Sequence, residues 1–208
     1  STRPPTSSSL YGNDWGTSMA CPAVSGTLAL LHEAYRDLNG NQDAPSALLK
    51  CLLLNTADDI GNPGPDFSHG WGQLNAFKAI KALEQGRYIS GSISQGNNNN
   101  HTITVPTGVN EIKVMVYWHD KEASASASTA LVNDIDIQLT TPSGVSYNPW
   151  VLDPTPNVAN LTANATRGFD GLNNMEQVTL NGGSFYNVLN GSFVPLNLSS
   201  GNYVLNVN

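Results

Sequence analysis

Gly16-Thr-Ser-Met-Ala-Cys-Pro-Ala-Val-Ser-Gly-Thr-Leu-Ala-Leu-Leu31 is the stretch on which the reading of this chain turns. Gly16 permits a backbone turn that a Cβ would obstruct. Behind it, Met19 to Leu38 is rich in Ala and Leu, with polar His32, Glu33, Arg36 and Asp37 gathered at the far end. A helix that is apolar all round at its start belongs in a core, and Asn39–Gly40 supplies the residues preferred past a helix end. With Ser18 as N-cap, Pro22 becomes the fourth helical residue, where no internal N–H bond is lost. The unpaired N–H groups of a helix start favour negative charge. A serine hydroxyl there can attack a carbonyl while its own N–H holds the oxyanion. The commoner duty of such a serine is plain helix capping, and these residues alone do not choose between the two.

Outward from this stretch the first 87 residues read as helical. A second helix is expected over about 45–57, with Pro45 in its first turn, and a third over about 75–84, capped by Asn75. One short extended piece lies near Ser68–Gly72. Three helices with no sheet of their own leave the 19–38 helix in need of a partner that the sequence does not contain. From Tyr88 the period changes to two, in 89–94, 102–105, 111–118, 134–139, 176–180 and 203–207, with Gly, Asn and Pro in the turns. The expected organisation is a helical part over 1–87 and an antiparallel β-sandwich or jelly roll over 88–208, an α+β chain.

Composition excludes several classes. Nine Lys and Arg face sixteen Asp and Glu, a net charge of -7. That provides no basic footprint for nucleic acid or anionic membranes. No apolar run approaches the eighteen or so residues of a membrane span, and Ser1 opens no leader-like pattern. An acidic, Asn/Ser/Thr-rich, Lys-poor chain suits a secreted bacterial protein. The charge is uneven: residues 88–208 hold three basic and eight acidic residues, so many carboxylates lack an ion-pair partner. Cys21 and Cys51 fall about 15 Å out of step on a helical hairpin, too far to bridge, and read as free, buried, small apolar residues.

Gly16-Thr17-Ser18-Met19-Ala20-x-Pro22 resembles the catalytic serine signature of the subtilisin-like serine proteases. Leu48–Thr56 resembles the family's next helix, and Gly70-Trp-Gly-Gln-Leu-Asn-Ala76 the glycine-rich segment before the catalytic domain's last helix. The resemblance covers residues 1–87 and implies that these are the C-terminal helices of a subtilisin-like α/β catalytic domain. It extends further: Leu131-Val-Asn-Asp-Ile-Asp-Ile137, Thr141-Pro-Ser-Gly144 and Asp170-Gly-Leu-Asn-Asn-Met-Glu176 resemble the jelly-roll domain of certain bacterial alkaline subtilases, itself similar to the P domain of proprotein convertases.

The resemblance implies a serine endopeptidase acting on proteins or peptides, with Ser18 as nucleophile and Asn13, Gly16 and Thr17 beside the scissile bond. Triads of this kind run Asp, His, Ser along the chain. The acid, the base and the oxyanion Asn therefore belong upstream of Ser18, where only seventeen residues stand and Asp14 is the sole acid. The chain alone is expected to be inactive and to need the missing N-terminal part of its catalytic domain as a partner.

Asn133, Asp134, Asp136, Asp170, Asn173, Asn174 and Glu176 are all oxygen donors of the kind a hard cation takes. As strand residues, Asp134 and Asp136 would share one face. The alternative is a solvated face plus a polar turn; the resemblance to calcium-binding jelly rolls favours a structural calcium ion. His119–Asp120 reads as a strand end rather than a downstream triad, and His69 as part of a tight turn. A rival reading makes residues 88–208 a carbohydrate- or protein-binding module, with Trp118, Tyr147, Trp150 and Phe169 as candidate contacts.

Overall fold

The computed structural model describes residues 15–182, 184–187, 192–195 and 197–208, with 184–187 and 192–195 known by their backbone alone. Helix α1 spans Thr17–Leu38, α2 Ser46–Asn55 and α3 Ala76–Glu84. Ten strands and one short helix follow: β1 (Asn99–Val105), β2 (Glu111–Tyr117), β3 (Ile137–Thr140), β4 (Ser146–Tyr147), β5 (Trp150–Val151), α4 (Val158–Thr162), β6 (Thr166–Arg167), β7 (Met175–Asn181), β8 (Ser184–Asn187), β9 (Ser192–Pro195) and β10 (Gly201–Val207). Every pairing is antiparallel, so the chain is an α+β protein.

Two separate cores form. The helical one joins Leu31, Leu49, Leu52, Ala79 and Leu83. The β core joins Val105, Ile112, Ile137, Leu139, Val178, Leu180, Tyr203, Leu205 and Val207. A four-stranded sheet in the order β1-β10-β3-β4 faces the β2–β7 pair. β10 shows why period two specifies its register: Tyr203, Leu205 and Val207 are buried while the residues between them are not. β7 is buried on both faces. Its Val178 and Leu180 enter the β core, and Gln177 turns the other way to reach Asn55 on α2.

α2 runs antiparallel along β2. Ser46 meets His119, Cys51 donates from Sγ to the Met115 carbonyl, and Asn55 reaches the Lys113 carbonyl. β2 pairs with β7 alone, so this helix covers its other edge, which would otherwise present unpaired backbone groups.

Several expectations are corrected. α1 is not buried at its start: residues 17–26 are exposed, and its first buried residues are Thr27 and Leu31. Only its second half meets α2 and α3, and the chain offers no sheet for the rest. Cys21 is accordingly exposed and Cys51 half-buried, both free. Residues 89–94 pair with no strand among the described residues, although Ile93 packs on the β core and Tyr88 on the helical one. Alternation made them strand-like, but a period of two does not by itself supply ladder hydrogen bonds. The strand expected at 134–139 begins only at Ile137, although Asp136 still exchanges backbone hydrogen bonds with Asn208 at 2.9 and 3.0 Å. Among the described residues no helix is long and apolar enough to cross a membrane.

Candidate active site

Gly16 is the N-cap of α1, at φ 139, a conformation that L side chains rarely adopt. An added Cβ would meet nothing within 4 Å. The demand for glycine here is therefore conformational and owes nothing to crowding. The Gly16 carbonyl accepts from the N–H of Met19 at 3.0 Å and of Ala20 at 3.2 Å. Ser18 is thus the second helical residue, not the cap, and no carbonyl among the described residues takes its N–H. The register also moves Pro22 to the sixth helical position, inside α1. Pro22 has no N–H to return to the Ser18 carbonyl.

Thr17 and Ser18 are exposed beside Gly16, while Asn13 lies outside the described residues. Ser18 has no hydrogen-bond partner among the described residues, and each of the chain's four histidines is placed elsewhere. His32 stands 3.7 Å from Asp43. His69 Nδ1 lies 3.4 Å from Asp66, in a tight turn closed by reciprocal Asp66–Gly70 backbone bonds. His101 lies on β1 opposite Leu205. His119 Nε2 faces Ser46 Oγ at 3.0 Å, and Asp120 accepts from Lys121, Val132 and Asn133 backbone N–H groups. The nucleophile candidate stands without a base.

The acidic residues gather where β3 meets β7. Glu176 is 1% exposed; it accepts from the Ile137 N–H at 2.7 Å and from the Asp170 N–H at 2.8 Å. Burial pushes its carboxyl up to about 7; those two donors oppose the shift, and Asp136 and Asp170 add repulsion. Asp134 and Asp136 are also raised, by burial first and then by Asp170 and Asp134 respectively. Asp136 Oδ1 is buried with no hydrogen-bond partner. Asp170 accepts from the Leu172 N–H and the Asn173 amide.

Asn133 and Asn174 do other work. Asn133 donates to Asp120 and accepts from the Trp118 indole, and Asn174 donates to the Trp118 carbonyl. These bonds tie the 120–133 loop to the start of β7. Among the described residues no three His, Cys, Asp or Glu side chains are grouped closely enough to hold an ion.

Of the four aromatic candidates, Trp118 is committed to that loop. Trp150 is covered by Arg167, whose guanidinium carbon lies 3.5 Å from the ring centroid. Tyr147 and Phe169 remain exposed. Sequence reasoning missed Arg167, whose only signal was its rarity as one of three cations in residues 88–208.

Residues 1–72 match the subtilase family of peptidases. The chain is 33% identical over 94 residues to an extracellular serine protease of Serratia marcescens, covering 41% of this chain and 8% of that protein. It is 43% identical over 65 residues to the autotransporter lipoprotein NalP of Neisseria meningitidis, covering 31% and 6%. It is 31% identical over 105 residues to the minor extracellular protease Vpr of Bacillus subtilis, covering 46% and 12%. The chain thus spans no more than 12% of the length of any of these three relatives.

Proposed function

We propose, from a chain whose residues 1–72 match the subtilase family, that Ser18 is the nucleophile of a secreted serine endopeptidase. The observation that carries this reading is the exposed Ser18 in the first turn of α1, its N–H unclaimed by any carbonyl among the described residues. In this reading Ser18 Oγ attacks the scissile carbonyl carbon and its proton passes to a histidine. The carbonyl oxygen becomes an oxyanion beside the Ser18 N–H, and collapse releases the amine and leaves an acyl-enzyme for water to cleave. Gly16 and Thr17 border the scissile bond, with Asn13 just ahead of them.

The histidine, its aspartate and a further oxyanion donor come from outside this chain, a reading supported by the placement of all four histidines away from Ser18. It is supported too by the bare first half of α1, where Met19 is 41% exposed and Val24 38%. Such apolar surface is expected to be covered in the working protein, and the rest of the catalytic domain is the cover proposed. The isolated chain is then inactive.

Residues 88–208 form a flanking domain of jelly-roll kind, a reading supported by the separate β core and by the pairing of β1 with β10. It holds α2 through β2. A structural calcium ion at Asp134, Asp136, Asp170 and Glu176 is part of this reading, with Asn133, Asn173 and Asn174 at its margin. The stranded Asp136 oxygen, the mutual repulsion and the all-oxygen donor set support it. The side chains as placed do not yet converge on one point. Calcium at pH 8 should raise the thermal midpoint of the chain and chelator should reverse it; Asp136→Asn should lose that response. A midpoint indifferent to calcium removes the ion from the reading.

The test of the nucleophile is intact mass after treatment with a serine-reactive organophosphonate, alone and with the N-terminal part of a subtilase catalytic domain supplied in trans. No adduct on the chain alone and a single adduct in the mixture, lost in Ser18→Ala, is the expected result. An adduct on the Ser18→Ala protein would sink the assignment.

A further inference from the structure

One concave site has chemistry that the protease reading does not use. A cavity of about 420 Å³ opens between β3–β4, β7 and the segment leading into β10, within the range of small-ligand pockets. Tyr147, Trp150 and Leu180 line it with the hydroxyls of Thr141 and Ser143, and Arg167 borders it.

Trp150 is pinned. Arg167 lies over its ring at 3.5 Å, and Gly64 of the helical half approaches so closely that an added Cβ would sit 2.9 Å from the indole. The guanidinium donates to the carbonyl oxygens of Asn148, at 3.1 Å, and Thr179. That spends two of its five N–H donors. Among the described residues no carboxylate pairs with it, although this part of the chain holds eight acids for three bases.

The Trp150 indole N–H is buried without a hydrogen-bond partner among the described residues. Partial burial also disfavours the charge on Arg167, so a bound anion would be favourable there.

We propose that the Arg167–Trp150 cavity binds a carboxylate-bearing group of a peptide, with the guanidinium taking the carboxylate beside the indole ring it covers. The planar fork of Arg matches a carboxylate. A single cation suits a monoanion better than a doubly charged phosphate. Tyr147 and Leu180 offer apolar contact to the chain that carries the acid. That acid is either an Asp or Glu side chain or a peptide C-terminus. This inference goes beyond the protease reading and does not depend on Ser18, because its test reads binding and not labelling.

The test uses the ¹⁵N-labelled full chain, which has four Trp indole resonances, with Trp150 assigned by W150F. N-acetyl-glycyl-glycine carries a C-terminal carboxylate and N-acetyl-glutamic α-amide a side-chain one; the fully amidated form of each is the control. Either acid should shift the Trp150 resonance saturably and the amides should not; the acid that saturates at lower concentration identifies the source. Binding should weaken about tenfold or more in R167Q, which loses the charge-assisted fork. Equal shifts from acids and amides, unchanged binding in R167Q, or no shift up to about 10 mM would each overturn the proposal. Should R167Q disturb the other three indole resonances, R167K keeps the charge and loses the fork; binding as tight as in the parent chain then overturns the guanidinium's role.

Discussion

The Asn55 side-chain amide donates to the Lys113 carbonyl at 3.2 Å, joining the end of α2 to the start of β2. Its oxygen accepts from Gln177 on β7 at 3.0 Å, and Lys113 Nζ returns a bond to the Ala57 carbonyl at 2.9 Å. One half-buried side chain thereby serves both strands that face α2. Asn55→Ala should lower stability by about 2 kcal/mol, roughly 1 for each bond removed. Urea unfolding measures this, and cleavage in the unpaired 89–94 segment should speed up alongside. An unaltered urea midpoint with unaltered cleavage would show that the two cores do not depend on this bond.

Asn75 caps α3 by accepting from the Lys78 N–H at 2.9 Å, and it donates to Asp58 at 2.8 Å. Asp58 also pairs with Lys78 Nζ. Asn75→Ala should cost about 1 kcal/mol. Asn75→Asp keeps the cap but sets a second carboxylate against Asp58, so it should recover less than the full loss. Chemical denaturation of the two variants side by side decides this, and equal stability of both with the parent chain would refute the capping role.

Asp66 is buried and accepts from the backbone N–H groups of Asn62, Ser68 and His69. Burial pushes its carboxyl up, but those donors and the His69 ring outweigh it and hold the carboxyl below the usual range. A depressed folded value means that ionised Asp66 contributes its stability above the unfolded carboxylate value of about 4. That contribution fades as pH falls toward the lower folded value. Asp66→Asn should therefore destabilise by about 1–3 kcal/mol at pH 7 and progressively less below about pH 4. A stability difference that stays constant from pH 7 to about pH 3 would contradict this.

The two thiols should separate in alkylation. Cys51 is half-buried against β2, and burial pushes its thiol up to about 11. At pH 8 only about one molecule in a thousand is then a thiolate, the reactive form. Cys21 is exposed on α1. Iodoacetamide at pH 8 should label Cys21 first, with Cys51 labelled only after denaturant is added. Peptide mass mapping reads both sites, and equal rates in the folded chain would count against the placement of α2 on β2.

Local features were legible in the residues. The Ala/Leu run after Gly16 marked α1, the Asn75 amide marked the start of α3, and alternation marked β1, β2, β7 and β10. These signals are short-range, set by backbone conformation and by side-chain period, so they survive without knowledge of neighbours. The same local rules misplaced the first residues of α1, because Ser18 is a good cap by type while Gly16 alone takes the required conformation. They also made a strand of 89–94, where alternation is present and ladder pairing is not.

The sequence by itself determined the Ser18 motif, the helical and alternating halves, and the shortage of cations after Tyr88. Tertiary structure decided which surfaces those elements share. It seated α2 on β2, brought Asp136 and Asp170 near enough to Glu176 to repel it, left half of α1 bare, and stacked Arg167 on Trp150 beside Gly64. Such outcomes join residues a hundred or more positions apart, as when Gln177 donates to Asn55 and Asn62 to the Thr162 carbonyl. Period and propensity carry no information on such pairs, because they describe a residue's immediate neighbours and not the distant surface that folding brings against it.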